Sequence, residues 1–199
     1  TLAERETRLV QAVLSPNGDD YDCQLISTPA ANQGEESVTH ATGHLVHKAN
    51  SNAETIALAD IQARCTETID PDELYEVAAA QFIVFGPSFR WIDSLQKGDG
   101  EALARFSRPE NIDMDGYWLH PGLLDACFQT AGVTLDEDAS AETLLPFMLK
   151  QLQIQKVPEG DQWWCHVKQT GEQAWDIRLL DDDGRVLLAL DGFEMRAVP

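Results

Sequence analysis

Short stretches of alternating apolar and polar side chains dominate this chain, and turn residues fill the gaps between them. Residues 7–14 have the apolar content of a half-buried strand, and the Ser-Pro-Asn-Gly-Asp-Asp run at 15–20 is dense in turn chemistry. Residues 21–27 largely alternate with period two, which predicts a hairpin with the first strand. A polar loop over 28–36 precedes another strand at 38–47. Residues 48–67 are polar, Ala-rich and weakly periodic, and so read as a linker lying across the surface. A helix over 71–80 is signalled by Asp70 as N-cap, Pro71 at the first helical position, and two acids in the first turn.

Beyond this helix, a Phe-Gly-Pro-Ser-Phe turn at 85–89 leads into a strand over 91–96, a Gly-Asp-Gly turn, and an alternating strand over 101–107. Residues 120–132 form an apolar run of helical length. An acidic loop at 136–142 follows, then strands at 144–149 and 151–155. Three further turn-linked strands, at 162–168, 175–180 and 185–196, predict an antiparallel meander. Trp163 and Trp164 are adjacent on one strand, so one ring should face the core and the other outward. One apolar helix followed by a meander predicts a sheet wrapped around a central helix, a hot-dog fold in the α+β class.

The apolar helix carries the candidate chemistry. Asp125 stands among His120, Pro121, Leu123, Leu124, Ala126, Phe128 and Ala131. A carboxylate in such surroundings raises its pKa or finds a partner, and a carboxyl group kept near neutrality suits general-acid work. Gln129, one helical turn on, can reach it from the same face. The competing reading is an ordinary helix carboxylate that caps or solvates one turn, with Gln129 a polar residue at the helix edge. His120 precedes Pro121 and reads as a packing or hydrogen-bonding residue at the helix start.

Charge narrows the partners. Thirty-four acidic against fourteen basic residues give a net charge of −20, which argues against nucleic acid or an anionic membrane surface. Cys23, Cys65, Cys127 and Cys165 form no C-x-x-C pair and read as reduced and structural, as expected of a cytoplasmic protein. No stretch approaches the ~20 apolar residues of a membrane span, and no signal peptide is visible. No metal, nucleotide-phosphate or Ser-His-Asp motif appears. Thr1 is not an initiator methionine, so the chain is expected to come from something longer or trimmed.

Four separated segments carry a family resemblance: His40-Ala-Thr-Gly43, Phe85-Gly-Pro-Ser-Phe89, His120-Pro-Gly-Leu-Leu-Asp-Ala-Cys-Phe-Gln129 and Leu145-Pro-Phe147. In this order they resemble the H-A-x-G strand, the Y-G-P-x-F turn, the H-P-x-L-L-D-x-x-x-Q helix and the L-P-F strand of polyketide synthase dehydratase domains. The chain ending, Phe193-Glu-Met-Arg196, sits where such domains usually stop.

The resemblance implies a double hot dog with one active site between its halves. Residues 1–47 would be the tail of the first half, 48–70 the linker and 71–199 the second half. Asp125 would be the general acid, supported by Gln129 and His120. Phe85, Gly86, Pro87, Phe89, Leu124 and Pro146 would line the substrate tunnel. Arg90 is either a contact for phosphopantetheine or its carrier, or an ordinary solvated arginine. Phe85 departs from the family's usual Tyr and lacks its hydroxyl. The family's catalytic His lies in an H-x-x-x-G-x-x-x-x-P motif, which none of His40, His44, His47, His120 and His166 begins. The implied activity is dehydration of a carrier-bound 3-hydroxyacyl chain to a trans-2-enoyl thioester, without a cofactor. Expected partners are an acyl carrier protein, neighbouring synthase domains and a second copy in a homodimer. The alternative is a non-catalytic pseudo-dehydratase that serves as a scaffold.

Overall fold

The computed structural model describes residues 7–30, 37–47, 54–135 and 143–197. The chain forms two compact units, Thr1–Ser51 and Asn52–Pro199.

The smaller unit is an antiparallel sheet of β1 (Arg8–Asn17), β2 (Asp20–Pro29) and β3 (Val38–Leu45), in that order. The first strand runs three residues past its expected end, through Pro16. Proline is tolerated there because β1 is an edge strand. Gly18, at φ 65°, supplies the left-handed backbone of the tight turn between Asn17 and Asp20. Ser27 is buried, and its hydroxyl meets Arg8 Nε at 2.8 Å and His40 Nε2 at 2.6 Å. His40 is thus a strand residue bonded within its own sheet.

In the larger unit the chain runs α1 (Leu58–Arg64), β4 (Glu67–Ile69), α2 (Pro71–Ala80), a 3-10 turn (Pro87–Phe89), β5 (Ile92–Gly98) and β6 (Glu101–Ser107). It continues through α3 (Pro121–Gly132), β7 (Leu144–Ile154), β8 (Gln162–Gly171), β9 (Ala174–Leu180) and β10 (Val186–Ala197). Seven antiparallel strands form one sheet in the order β4-β5-β6-β8-β9-β10-β7. The meander β8-β9-β10 is present as expected. The two strands expected at 144–149 and 151–155 are one continuous strand, because β10 supplies ladder partners on both sides of Lys150. The acidic loop expected at 136–142 lies outside the described residues.

Both faces of this sheet are covered. On the inner face, Leu123, Ala126, Cys127 and Ala131 of α3 pack against Trp91, Leu95, Phe106, Trp163, Val167, Trp175, Ile177 and Phe193. Burying each large apolar side chain stabilises by about 1.5–3 kcal/mol, which makes α3 the centre of the core. Trp163 is fully buried. Trp164 lies on the other face with the Arg105 guanidinium 4.8 Å above its ring. Cysteines 23, 65, 127 and 165 are all free thiols.

The outer face corrects the linker expectation. Ile61 and Cys65 are fully buried with Leu103, while Leu180, Val186 and Ala189 form an adjoining cluster. Ile56 and Leu58 pack against both clusters. Leu58, Ile61 and Cys65 recur at i, i+3 and i+7, a helical stripe that the surrounding Ala and polar residues obscure. An ion cluster, buried at Glu101 and His166 and half-exposed at Arg64, holds this helix down. Arg64 donates to both carboxylate oxygens of Glu101, at 2.6 and 2.9 Å, and His166 Nε2 lies 2.8 Å from Glu101 Oε2. Among the described residues no helix is long and apolar enough to cross a membrane.

Candidate active site

Helix α3 starts as its sequence requires. Pro121 occupies the first turn, and His120 caps it by accepting from Gly122 N through Nδ1 at 3.1 Å. That bond needs an unprotonated Nδ1, and burial lowers the His120 pKa in the same sense. The imidazole packs 5.3 Å from the Trp91 ring and 4.9 Å from Tyr117.

Gly122 lets the 3-10 turn approach. A Cβ there would come within 2.5 Å of Trp91 Nε1 and 2.6 Å of the Ser88 carbonyl oxygen. Trp91 Nε1 itself donates to Ser88 O at 2.8 Å, which braces the turn from below.

One turn further along α3, Asp125 is half-buried. Burial raises its pKa, while the hydrogen bond from Gln129 pulls it the other way. Gln129 is buried, and its Nε2 donates both to Asp125 Oδ2 at 2.7 Å and to the Phe89 carbonyl oxygen at 2.9 Å. One amide therefore ties the carboxyl group to the Phe85–Phe89 turn. Leu124, beside Asp125, is partly buried against the main core.

The Phe85 ring meets Tyr75 of α2 edge-on at 6.0 Å. Gly86 caps the 3-10 turn and Pro87 opens it. Arg90 folds back on its own chain: Nε donates to the Phe85 carbonyl oxygen at 3.1 Å, and the guanidinium lies 4.7 Å from the Tyr75 ring centre. Pro146 sits on β7 at the sheet edge, opposite Met195. The structure therefore joins Asp125, Gln129 and Phe89 by hydrogen bonds, and Phe85 and Arg90 through Tyr75. Pro146 is placed with β10 instead. Nothing local in the sequence distinguishes Tyr75 from an ordinary core residue of α2, because its contacts with Phe85 and Arg90 come from a different element.

An open depression of about 740 Å³ lies elsewhere, lined by residues that include Ser107, Arg108, Asp161, Gln162 and Asp181. Arg108 pairs with Asp161 at 2.8 Å, and Arg105 with Asp182, so its acids already have cations. No cluster of three His, Cys, Asp or Glu suited to a metal occurs among the described residues.

A sheet wrapped on one central helix is the hot-dog architecture. Solved structures share it over nearly the whole chain. The CurJ dehydratase, in a His-to-Phe inactive form bound to a compound, is 32% identical with a TM-score of 0.85 over 96% of this chain and 69% of that one. The CurK dehydratase, in an Asp-to-Asn inactive form, is 28% identical with a TM-score of 0.87 over 100% of this chain and 72% of that one.

Residues 53–199 match the family model described as the polyketide synthase dehydratase N-terminal domain, and the chain belongs to the polyketide synthase dehydratase family. Polyketide synthase PksN of Bacillus subtilis is 28% identical over 98% of this chain, and ThaG of Burkholderia thailandensis is 29% identical over 92%. This chain spans only 4% of the length of either relative.

Proposed function

We propose that the chain contributes the acid half of a dehydratase site acting on a 3-hydroxyacyl thioester held on the phosphopantetheine arm of an acyl carrier protein. The observation that carries this reading is Asp125, half-buried on the central helix, with a raised pKa and one oxygen held by Gln129. A carboxyl group that keeps its proton closer to neutral pH can donate it to a departing hydroxyl. In the elimination, a histidine removes the 2-proton and the C2–H electrons form the C2–C3 double bond. The C3–O bond breaks as Asp125 protonates the leaving oxygen, giving water and a trans-2-enoyl thioester. No electrons are exchanged with a second reagent, so the reaction calls for no cofactor.

The histidine would come from outside these residues, in the other hot dog of a double one, with 71–199 as the second half. The inactive Asp-to-Asn form of the CurK dehydratase and the inactive His-to-Phe form of the CurJ dehydratase fit a division of labour between one Asp and one His. Neighbouring synthase domains and a second copy of the synthase would be the remaining partners, and the cytoplasm the setting.

Mass spectrometry of a 3-hydroxyacyl pantetheine thioester tests this reading, with the chain supplied alone and joined to the histidine-bearing half of its synthase. Loss of 3-hydroxyl as water by the joined protein, abolished by Asp125→Asn, is the expected result. Persistent elimination in Asp125→Asn would remove Asp125 from the chemistry. No elimination by the joined protein would favour the scaffold role.

A further inference from the structure

Every carbonyl of the Phe85–Phe89 turn accepts a hydrogen bond from the protein. Phe89 N–H donates to Gly86 O at 2.9 Å and Arg90 N–H to Pro87 O at 3.3 Å, which closes the 3-10 turn itself. The others accept from side chains: Ser88 O from Trp91 Nε1 at 2.8 Å, Phe89 O from Gln129 Nε2 at 2.9 Å, and Phe85 O from Arg90 Nε at 3.1 Å. Gly86, Pro87 and Phe89 are exposed, and an exposed turn can leave such groups to water; here the full set fixes the segment from end to end.

Trp91 and Gln129 hold their carbonyls from the buried side. Arg90 is exposed, and ordering a long exposed side chain costs entropy, so its grip on Phe85 depends on a seat. The Tyr75 ring is that seat, with the guanidinium 4.7 Å from its centre, and the Phe85 ring meets the same tyrosine edge-on at 6.0 Å. Arginine suits the place, since its edge donates while its flat face stacks. At the other end of the turn, the Gln129 amide that holds Phe89 O also holds Asp125 Oδ2 at 2.7 Å. Burial and this Gln129 hydrogen bond are the opposing causes that act on the Asp125 pKa. The charges of Arg90, of Asp72 on α2 and of Asp125 act on Tyr75, all secondary to its burial. The route from Arg90 to Asp125 is therefore one of contacts, through the turn and Gln129.

We infer that Arg90 is a positioning residue for Asp125: by clamping the Phe85 carbonyl against Tyr75 it sets the turn, whose Phe89 carbonyl fixes the Gln129 amide that orients the carboxyl group. This rests on the dehydratase reading for what Asp125 does, and extends the site to Arg90 and to Tyr75 of α2. It assigns Arg90 to the site rather than to the carrier protein or to solvent.

A double-mutant cycle tests it, read by ¹³C NMR titration of the Asp125 carboxyl carbon in the 199-residue protein. Arg90→Met keeps the aliphatic stem and removes the donor and the cation, and circular dichroism checks that the variant folds. A loosened Gln129 gives up the hydrogen bond that lowers the Asp125 pKa, so the midpoint is expected to move up. In the Gln129→Leu background, Arg90→Met is expected to add nothing. A wild-type midpoint in Arg90→Met, or an equal shift with and without Gln129, overturns the inference. In the joined protein, Arg90→Met is expected to lower kcat by about tenfold or more at unchanged KM, as misplacement by about 1 Å can cost on the order of 100-fold. A raised KM at unchanged kcat would make Arg90 a contact for the pantetheine arm and overturn the positioning role. Absence of elimination by the unmutated joined protein counts against the dehydratase reading alone, because the titration needs no turnover.

Discussion

Gln129 Nε2 lies 2.7 Å from Asp125 Oδ2, and the same nitrogen reaches the Phe89 carbonyl at 2.9 Å. The carboxyl group thus has a fixed orientation even though its surroundings disfavour its charge. Burial raises the Asp125 pKa, and the hydrogen bond from Gln129 opposes that rise.

Gln129→Leu should therefore raise the Asp125 pKa further and free the turn at Phe89. Removing a buried donor from two acceptors should cost about 1–3 kcal/mol in folding stability. A ¹³C NMR titration of the Asp125 carboxyl carbon, together with urea unfolding, checks both parts. A titration unchanged from wild type would mean that Gln129 does not tune the acid.

Glu101 makes acid stability a second readout. Its hydrogen bonds from Arg64 outweigh the opposing effect of burial and bring its pKa down from 4.5 to about 2. A depressed carboxyl pKa stabilises the fold above the unfolded value and loses that contribution as pH falls. The loss should thus run from pH 4.5 down to about 2. Glu101→Gln should cost roughly 2 kcal/mol at pH 7, with the exposed side of Arg64 allowed for, and flatten this acid limb. Chemical denaturation between pH 7 and 3 measures it.

Gly122→Ala probes the contact between α3 and the turn. The added Cβ would need space that Trp91 Nε1 and the Ser88 carbonyl already occupy, at 2.5 and 2.6 Å. Neither can swing away, because they are bonded to each other at 2.8 Å. Destabilisation of about 1–3 kcal/mol is expected, with tryptophan fluorescence shifted as Trp91 moves. Wild-type stability would show that the turn yields freely.

Phe82 offers a gain. It is the left-handed residue after α2, at φ 65°, where Ile83 N–H bonds Ala78 O and Phe82 N–H bonds Ala79 O. Glycine is the usual occupant of that position, and the Phe82 ring is 95% exposed, so little packing is lost on removing it. Phe82→Gly should stabilise by about 0.5–1 kcal/mol, visible as a higher melting temperature.

Local patterns alone were enough for much of this protein. Asp70 and Pro71 mark the start of α2, His120 and Pro121 that of α3, and turn residues separate β8, β9 and β10; these signals act within a few residues of one another and survive without tertiary context. The helix-borne pair Asp125 and Gln129 was also legible, since four residues is one helical turn. Tertiary structure alone decided the rest. Residues 54–65 became the outer cover of the sheet only because Leu103 supplies apolar surface for Ile61 and Cys65, Leu180 and Val186 supply it for Ile56 and Leu58, and Glu101 supplies the anion for Arg64. Packing between elements far apart in the chain depends on the sum of many weak contacts, which no local window contains.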